Sequence, residues 1–195
     1  MSRPLAATGL AALCALAVAA AIAACDNPFA LPPATDIPTD TTYTLFSMTG
    51  APVPEPSAYD MVARQVVRTD RTYIFDFALD MPDSLGDTIP VLIPPGGLGL
   101  GRDGGLQISK TPFDSLNYAP DGGYDQVNGQ RLALGTVVLA ASRTQSCNYS
   151  IAHPLYAKLH VIAIDTTARS VTFHMLLDGN CGYRSLLADS VPPSN

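Results

Sequence analysis

The chain has 195 residues, 11 Lys plus Arg against 17 Asp plus Glu, a net charge of −6, 17 Pro, 15 Gly, 4 Cys and no Trp. That length suits one domain, and the acidic balance argues against a nucleic-acid partner, which calls for a basic patch and a pI above about 9. With two Lys and one Glu in the whole chain, long charged helices and coiled coils are excluded.

Arg3 is the first charge, and residues 5–24 then run apolar, broken only by Thr8 and Gly9; eleven of those twenty are Ala. A short positive region, an apolar core and small residues before a cut site describe a secretory signal peptide over residues 1–24. The run closes on Ile22-Ala23-Ala24-Cys25, which resembles the lipobox of bacterial lipoproteins. The resemblance implies a diacylglyceryl group on the Cys25 thiol, cleavage between Ala24 and Cys25, and anchoring to a membrane by lipid. The competing reading is an uncleaved transmembrane helix, since twenty apolar residues suffice to span; Ala is weakly apolar, however, and Asp26 follows in place of a basic stop-transfer cluster. Both readings export the rest of the chain. Without the signal peptide the remaining 171 residues carry 10 basic and 17 acidic groups, net −7.

Residues 25–40 hold the lipidated Cys and a Pro-rich linker. Residues 26–40, with four Pro and no Gly, have no hydrophobic period. Free and semi-extended, they would reach about 45 Å; the alternative is a strip lying on the domain surface. From 41 to 195 the period is mostly two. The predicted strands are 41–49, 73–80, 88–93, 106–110 and 131–141, with a hairpin of 155–165 and 170–178 around Thr-Thr-Ala-Arg. Strand 73–80 is expected to put Tyr73, Phe75, Phe77 and Leu79 inside, with Asp76 and Asp80 on a solvated edge. Residues 57–68 fit either a helical face or a strand, and the strand is preferred, pairing with 73–80 through 68–71. Residues 113–117 suggest a single helical turn. Pro and Gly at almost every junction point to an all-β domain, a β-sandwich or barrel.

Cys14 lies in the signal peptide and Cys25 takes lipid, which leaves Cys147 and Cys181. An even pair in an oxidising compartment predicts a disulfide, and neither thiol has the CxxC spacing of a redox or metal pair. The string Asn180-Cys-Gly-Tyr-Arg-Ser-Leu186 stands out as a signature.

Other candidate chemistry is weaker. Gly99-Leu-Gly-Arg-Asp-Gly104 fits GxGxxG, but a strand pattern follows where a dinucleotide fold needs a helix. Asp121, Asp125 and Asn128 form an oxygen-rich loop that could take Ca²⁺, although the spacing is not that of an EF-hand; ordinary turn chemistry accounts for it equally. His160 and His174 lie on the two arms of the hairpin. An even loop puts them on opposite faces, whereas one slip of register puts them side by side, where a nearby Asp could complete a zinc site. No GxSxG elbow is present. Asn148-Tyr-Ser150 fits a glycosylation sequon. Tyr59, Tyr118, Tyr124, Tyr149 and Tyr183 fall near turns, where amphipathic rings make contacts. The expectation is therefore an exported, lipid-anchored β domain, non-catalytic, without cofactor, working by binding an envelope protein or small ligand or as an envelope component. The alternative is a metal- or ligand-dependent hydrolase of the cell envelope, favoured if a pocket unites His160 or His174 with Asp.

Overall fold

The computed structural model describes residues 31–84, 87–147 and 152–192. The predicted signal peptide, the lipobox-like stretch with Cys25 and the sequon with Tyr149 lie outside the described residues. Unit 31–195 is all-β, with two five-stranded antiparallel sheets. The large sheet has the order β1-β14-β13-β10-β8, where β1 is Thr39–Phe46, β8 Gly105–Ser109, β10 Val137–Ala141, β13 Tyr156–Asp165 and β14 Ser170–Asp178. The small sheet has the order β3-β2-β4-β7-β9, where β2 is Ala58–Asp60, β3 Gln65–Val67, β4 Phe77–Asp80, β7 Val91–Ile93 and β9 Gln130–Arg131. Two ribbons stand apart: β5 (Asp83–Ser84) with β6 (Asp87–Thr88), and β11 (Gln145–Ser146) with β12 (Ala152–His153). The domain is all-β as expected, and of the two forms left open, sandwich and barrel, it takes the sandwich-like one.

The inner faces meet in one core containing Leu45, Tyr59, Phe77, Leu79, Leu159, Val161 and Phe173. Tyr43 of the large sheet stacks on Tyr59 of the small one with centroids 4.6 Å apart, and Tyr59 on Phe77 at 5.7 Å. Such pairs contribute about 0.5–1.5 kcal/mol each beyond the area they bury; the Tyr43–Tyr59 pair crosses between the sheets, and the Tyr59–Phe77 pair lies within the small one. The large sheet also has a second core on its outer face, where Val137, Leu139, Tyr156 and Leu176 pack under Phe113, Ala119 and Leu186. With both faces covered, β10 reads Val-Val-Leu-Ala-Ala and is buried throughout, so its sequence cannot alternate.

Several expectations change. Residues 57–68 form no single strand: β2 and β3 are a hairpin in themselves, turned by Arg64 at φ 55° and by the Asp60 carboxylate, which accepts the Val62 and Ala63 N–H groups at 3.0 and 2.9 Å. It is β2, not β3, that pairs with β4. Within 73–80 only Phe77–Asp80 is strand, and Tyr73 is 76% exposed. Residues 131–141 split at Gly135 (φ 83°), which sends β9 to the small sheet and β10 to the large. The glycines of GxGxxG at 99, 101 and 104 all have positive φ and lead into β8, not into a helix.

The Pro-rich stretch is docked from Leu31 onward. Asn180 Oδ1 accepts the N–H groups of Thr35 (2.8 Å) and Asp36 (3.0 Å), and β1 begins at Thr39, two residues before the expected domain start.

Candidate functional site

The hairpin register decides the histidines. Asp165 pairs with Ser170 and Val161 with Phe173, so one residue on β13 is extra; Ile162 is that bulge. A bulge of one residue turns the remainder of the strand to the other face. His160 and His174 therefore become direct cross-strand partners on the outer face. The Phe113 ring covers both, with centroids 5.7 Å from His160 and 4.7 Å from His174. His174 Nε2 lies 2.6 Å from Asp40 Oδ1 on the neighbouring strand.

Lys158 is one row further along this face and is 5% exposed. Its Nζ donates to the carbonyls of Phe113 (2.9 Å) and Leu116 (3.0 Å) and lies 4.5 Å from the centre of the Phe113 ring. Burial lowers its pKa from the ordinary lysine value, opposed by Asp114 and Asp40. Phe113 is held for this by the 3₁₀ turn Phe113–Ser115, which Pro112 precedes. A cavity of about 230 Å³ is lined by Asp40, Asp114, Asn117, Lys158 and His174 among leucines. It unites His174 with Asp, although its ammonium is already engaged by main-chain oxygens.

A second feature is the sheet edge at β8. Leu106 exchanges both main-chain hydrogen bonds with Asp125, at 2.9 and 2.8 Å, on the side away from β10. Antiparallel ladders alternate, so the N–H and C=O of Ile108, two residues on, also point outward. Ile108 is 40% exposed. Grooves of about 610 and 490 Å³ flank this edge, the first with Tyr118, Leu116 and Arg184 on its wall, the second with Pro112 and Leu134.

Sequence reasoning missed one cluster altogether. Asp76, expected on a solvated edge, is 1% exposed. Arg143 donates to it twice, from its main-chain N–H (2.8 Å) and from Nη1 (3.0 Å), and donates from Nη2 to Asp60 at 2.7 Å. Met61 N–H adds a 2.7 Å bond. Burial raises the Asp76 pKa above the ordinary 3.8, against the pull of Arg143. The cluster pins the end of β10 to β2 and to the entry of β4. Asp80 is likewise engaged, accepting from Ser47 Oγ at 2.9 Å and Thr49 N–H at 3.0 Å.

The other predicted residues do not converge. Asp125 caps its own turn, accepting from Val127 and Asn128 N–H at 2.9 and 2.7 Å, which lowers its pKa. Asp121 is 91% exposed at its side chain and faces Arg184 at 3.3 Å. Asp83 pairs with Arg169 at 3.0 Å. Among the described residues no three His, Cys, Asp or Glu stand together as metal ligands. Of the turn tyrosines, Tyr59 and Tyr183 are buried, Tyr124 is half-buried, and Tyr118 is 47% exposed. Cys147 and Cys181 form the expected disulfide, their Cα atoms 5.8 Å apart. Compared with family models, with curated proteins and with solved structures, the chain shows no match.

Proposed function

We propose that the chain is an exported lipoprotein, anchored through lipid on Cys25, whose β-sandwich is a non-catalytic binding module of the bacterial cell envelope. The outward main chain of Ile108 between two grooves carries the binding half of this reading. An extended segment of an envelope protein can add to such an edge as a further strand, drawing affinity from main-chain hydrogen bonds and selectivity from the flanking grooves. The lipobox-type Ile22-Ala-Ala-Cys25 supports the anchor, and the disulfide fits an oxidising compartment.

Native mass spectrometry of the full-length protein extracted from its own membrane tests both halves. The expected spectrum shows the lipid mass on Cys25 and a retained polypeptide. Ile108→Pro removes one outward N–H without touching the bonds to β10, and Pro is tolerated on an edge; the variant should keep the lipid and lose the polypeptide. A polypeptide retained equally by Ile108→Pro would refute strand addition, and Cys25→Ser processed like the wild type would refute the anchor.

A second reading, a ligand-dependent hydrolase, is favoured by the His174–Asp40 pair in its 230 Å³ cavity. It predicts a small molecule or metal retained in the same spectrum and lost in His174→Gln.

A further inference from the structure

In the signature Asn180-Cys-Gly-Tyr183, residues 180, 182 and 183 face the segment 31–36, and Cys181 ties the turn to the rest of the domain. Asn180 is 7% exposed. Its Oδ1 accepts the N–H groups of both Thr35 and Asp36, and its Nδ2 donates to the Asp36 carbonyl at 2.7 Å. One side-chain amide thus satisfies three main-chain groups of an irregular segment, which is how a carboxamide recognises a peptide. Tyr183, 2% exposed, donates from its hydroxyl to the Pro32 carbonyl at 3.0 Å.

Gly182 has φ +80°, a conformation that favours glycine, and a Cβ there would stand 2.7 Å from Leu31 Cδ2, so a side chain at 182 would be strained and would displace the Leu31 tip. Cys181, between them, is bonded to Cys147 and so fixes the turn to the β11 ribbon. Asn180 is held from behind by Asp178, whose Oδ1 accepts its N–H at 2.9 Å and its Nδ2 at 2.7 Å. Arg64 closes the far side with a 2.9 Å pair to Asp36; both partners are solvent-exposed and this pair adds little.

We infer that the turn 180–183 is a peptide-recognition site whose occupant is the chain's own segment 31–36, and that this latch sets how far the domain stands from its anchor. Released, the chain from Cys25 to Thr39, where β1 begins, would reach at most about 43 Å. Latched, the chain is held from Leu31 onward, and the six residue steps from Cys25 to Leu31 span at most about 20 Å. The latch stands on the geometry of residues 31–36; only its consequence at a membrane rests on the proposed lipid anchor.

Hydrogen exchange of the full chain in detergent, read by peptide mass spectrometry, tests it. In the wild type the amides of Thr35 and Asp36 should be protected. In Asn180→Ala they lose their acceptor and should exchange about tenfold faster or more, while β13 and β14 keep their protection. Tyr183→Phe keeps the ring and loses the Pro32 bond, so a smaller acceleration of the same segment is expected. This variant decides the matter if Asn180→Ala unfolds the hairpin. Wild-type exchange at the rate of an unstructured peptide, or no acceleration in a variant whose hairpin stays protected, would overturn the latch. The intact mass from the same sample reads the lipid: an unlipidated chain with a protected segment keeps the latch and overturns the anchored reading.

Discussion

Replacing Arg143 by Met keeps the apolar stem and removes the guanidinium that faces Asp60 and Asp76. Two hydrogen bonds disappear, Nη2 to Asp60 at 2.7 Å and Nη1 to Asp76 at 3.0 Å. Four remain: Asp76 keeps the Met61 and Arg143 N–H groups, and Asp60 keeps those of Val62 and Ala63. Breaking a fully buried pair on one side costs about 3–5 kcal/mol. Here the arginine side chain is 26% exposed and both acids stay hydrogen-bonded, so about 2–3 kcal/mol is expected, below that range.

Urea unfolding followed by far-UV circular dichroism measures the loss as a change of midpoint at constant slope. The comparison that decides uses a background with both Asp60→Asn and Asp76→Asn, where no buried carboxylate is left to strand. There the cost of Arg143→Met should fall to about 1 kcal/mol, that of lost packing and neutral hydrogen bonds. An equal cost in both backgrounds would show that the guanidinium acts by packing, and the electrostatic argument would fail. The pH dependence gives a second check. A carboxyl whose folded pKa is raised binds more protons folded than unfolded, so stability falls as pH rises from about 3.8 through the folded value. Losing Arg143 raises that value further, so the deficit should widen from pH 4 upward and narrow in acid.

Three further outcomes are expected. Asp178 is fully buried, its Oδ2 has no partner among the described residues, and burial pushes its pKa up to about 6. By the same sign rule it costs stability as pH rises from about 4 to about 6, at most about 3 kcal/mol and, with residual solvation, about 1–2 kcal/mol. Asp178→Asn should flatten that part of the pH–stability curve, and parallel curves would refute the assignment. Cys147→Ala should lower the melting temperature under oxidising conditions. For a separation of 34 residues the chain-entropy limit is about 3.8 kcal/mol, and an unchanged melting temperature would mean the bridge does not constrain the chain. Lys158→Met removes a buried ammonium whose pKa burial lowers. A depressed lysine pKa means stability gained as pH rises through the folded value toward 10.5, so calorimetry should find the wild-type melting temperature gaining on that of the variant as pH rises toward 10.5.

The hairpin of β13 and β14 was legible because its arms are long, rich in β-branched residues and closed by a short polar loop. The disulfide was legible because the signal-peptide and lipobox reading assigns Cys14 and Cys25 elsewhere and leaves two thiols and one pairing. Other features were not, for reasons that lie in the residues. Asp76 alternates with Phe75 and Phe77 as a solvated residue would; what buries it is Arg143, 67 residues away, and no local pattern encodes that. The histidine pair depends on one bulged residue, Ile162, and no Gly or Pro announces it. Residues 57–68 balance two periods because they are two strands and a turn, and the turn is made by an aspartate side chain and a left-handed Arg64. The string Asn-Cys-Gly-Tyr was visible as unusual, but its partner segment lies some 145 residues earlier in the chain.

The distribution of buried polar groups separates the two functional readings. A catalytic site keeps its acid, base and nucleophile aimed at a space that substrate enters. Here Asp76 and Asp60 are aimed at Arg143 and main-chain N–H groups, Lys158 at two carbonyls, Asp80 at Ser47 and Thr49, and Asn180 at the segment 31–36. Each holds an irregular stretch of chain against a sheet. That is how a sandwich with short strands and much loop satisfies its backbone. At the β8 edge the main chain of Ile108 is turned outward between two grooves, and it is suited to pairing with another strand. The His174–Asp40 pair is the exception, and it is why a retained small molecule lost in His174→Gln would reverse the preference between binding module and hydrolase.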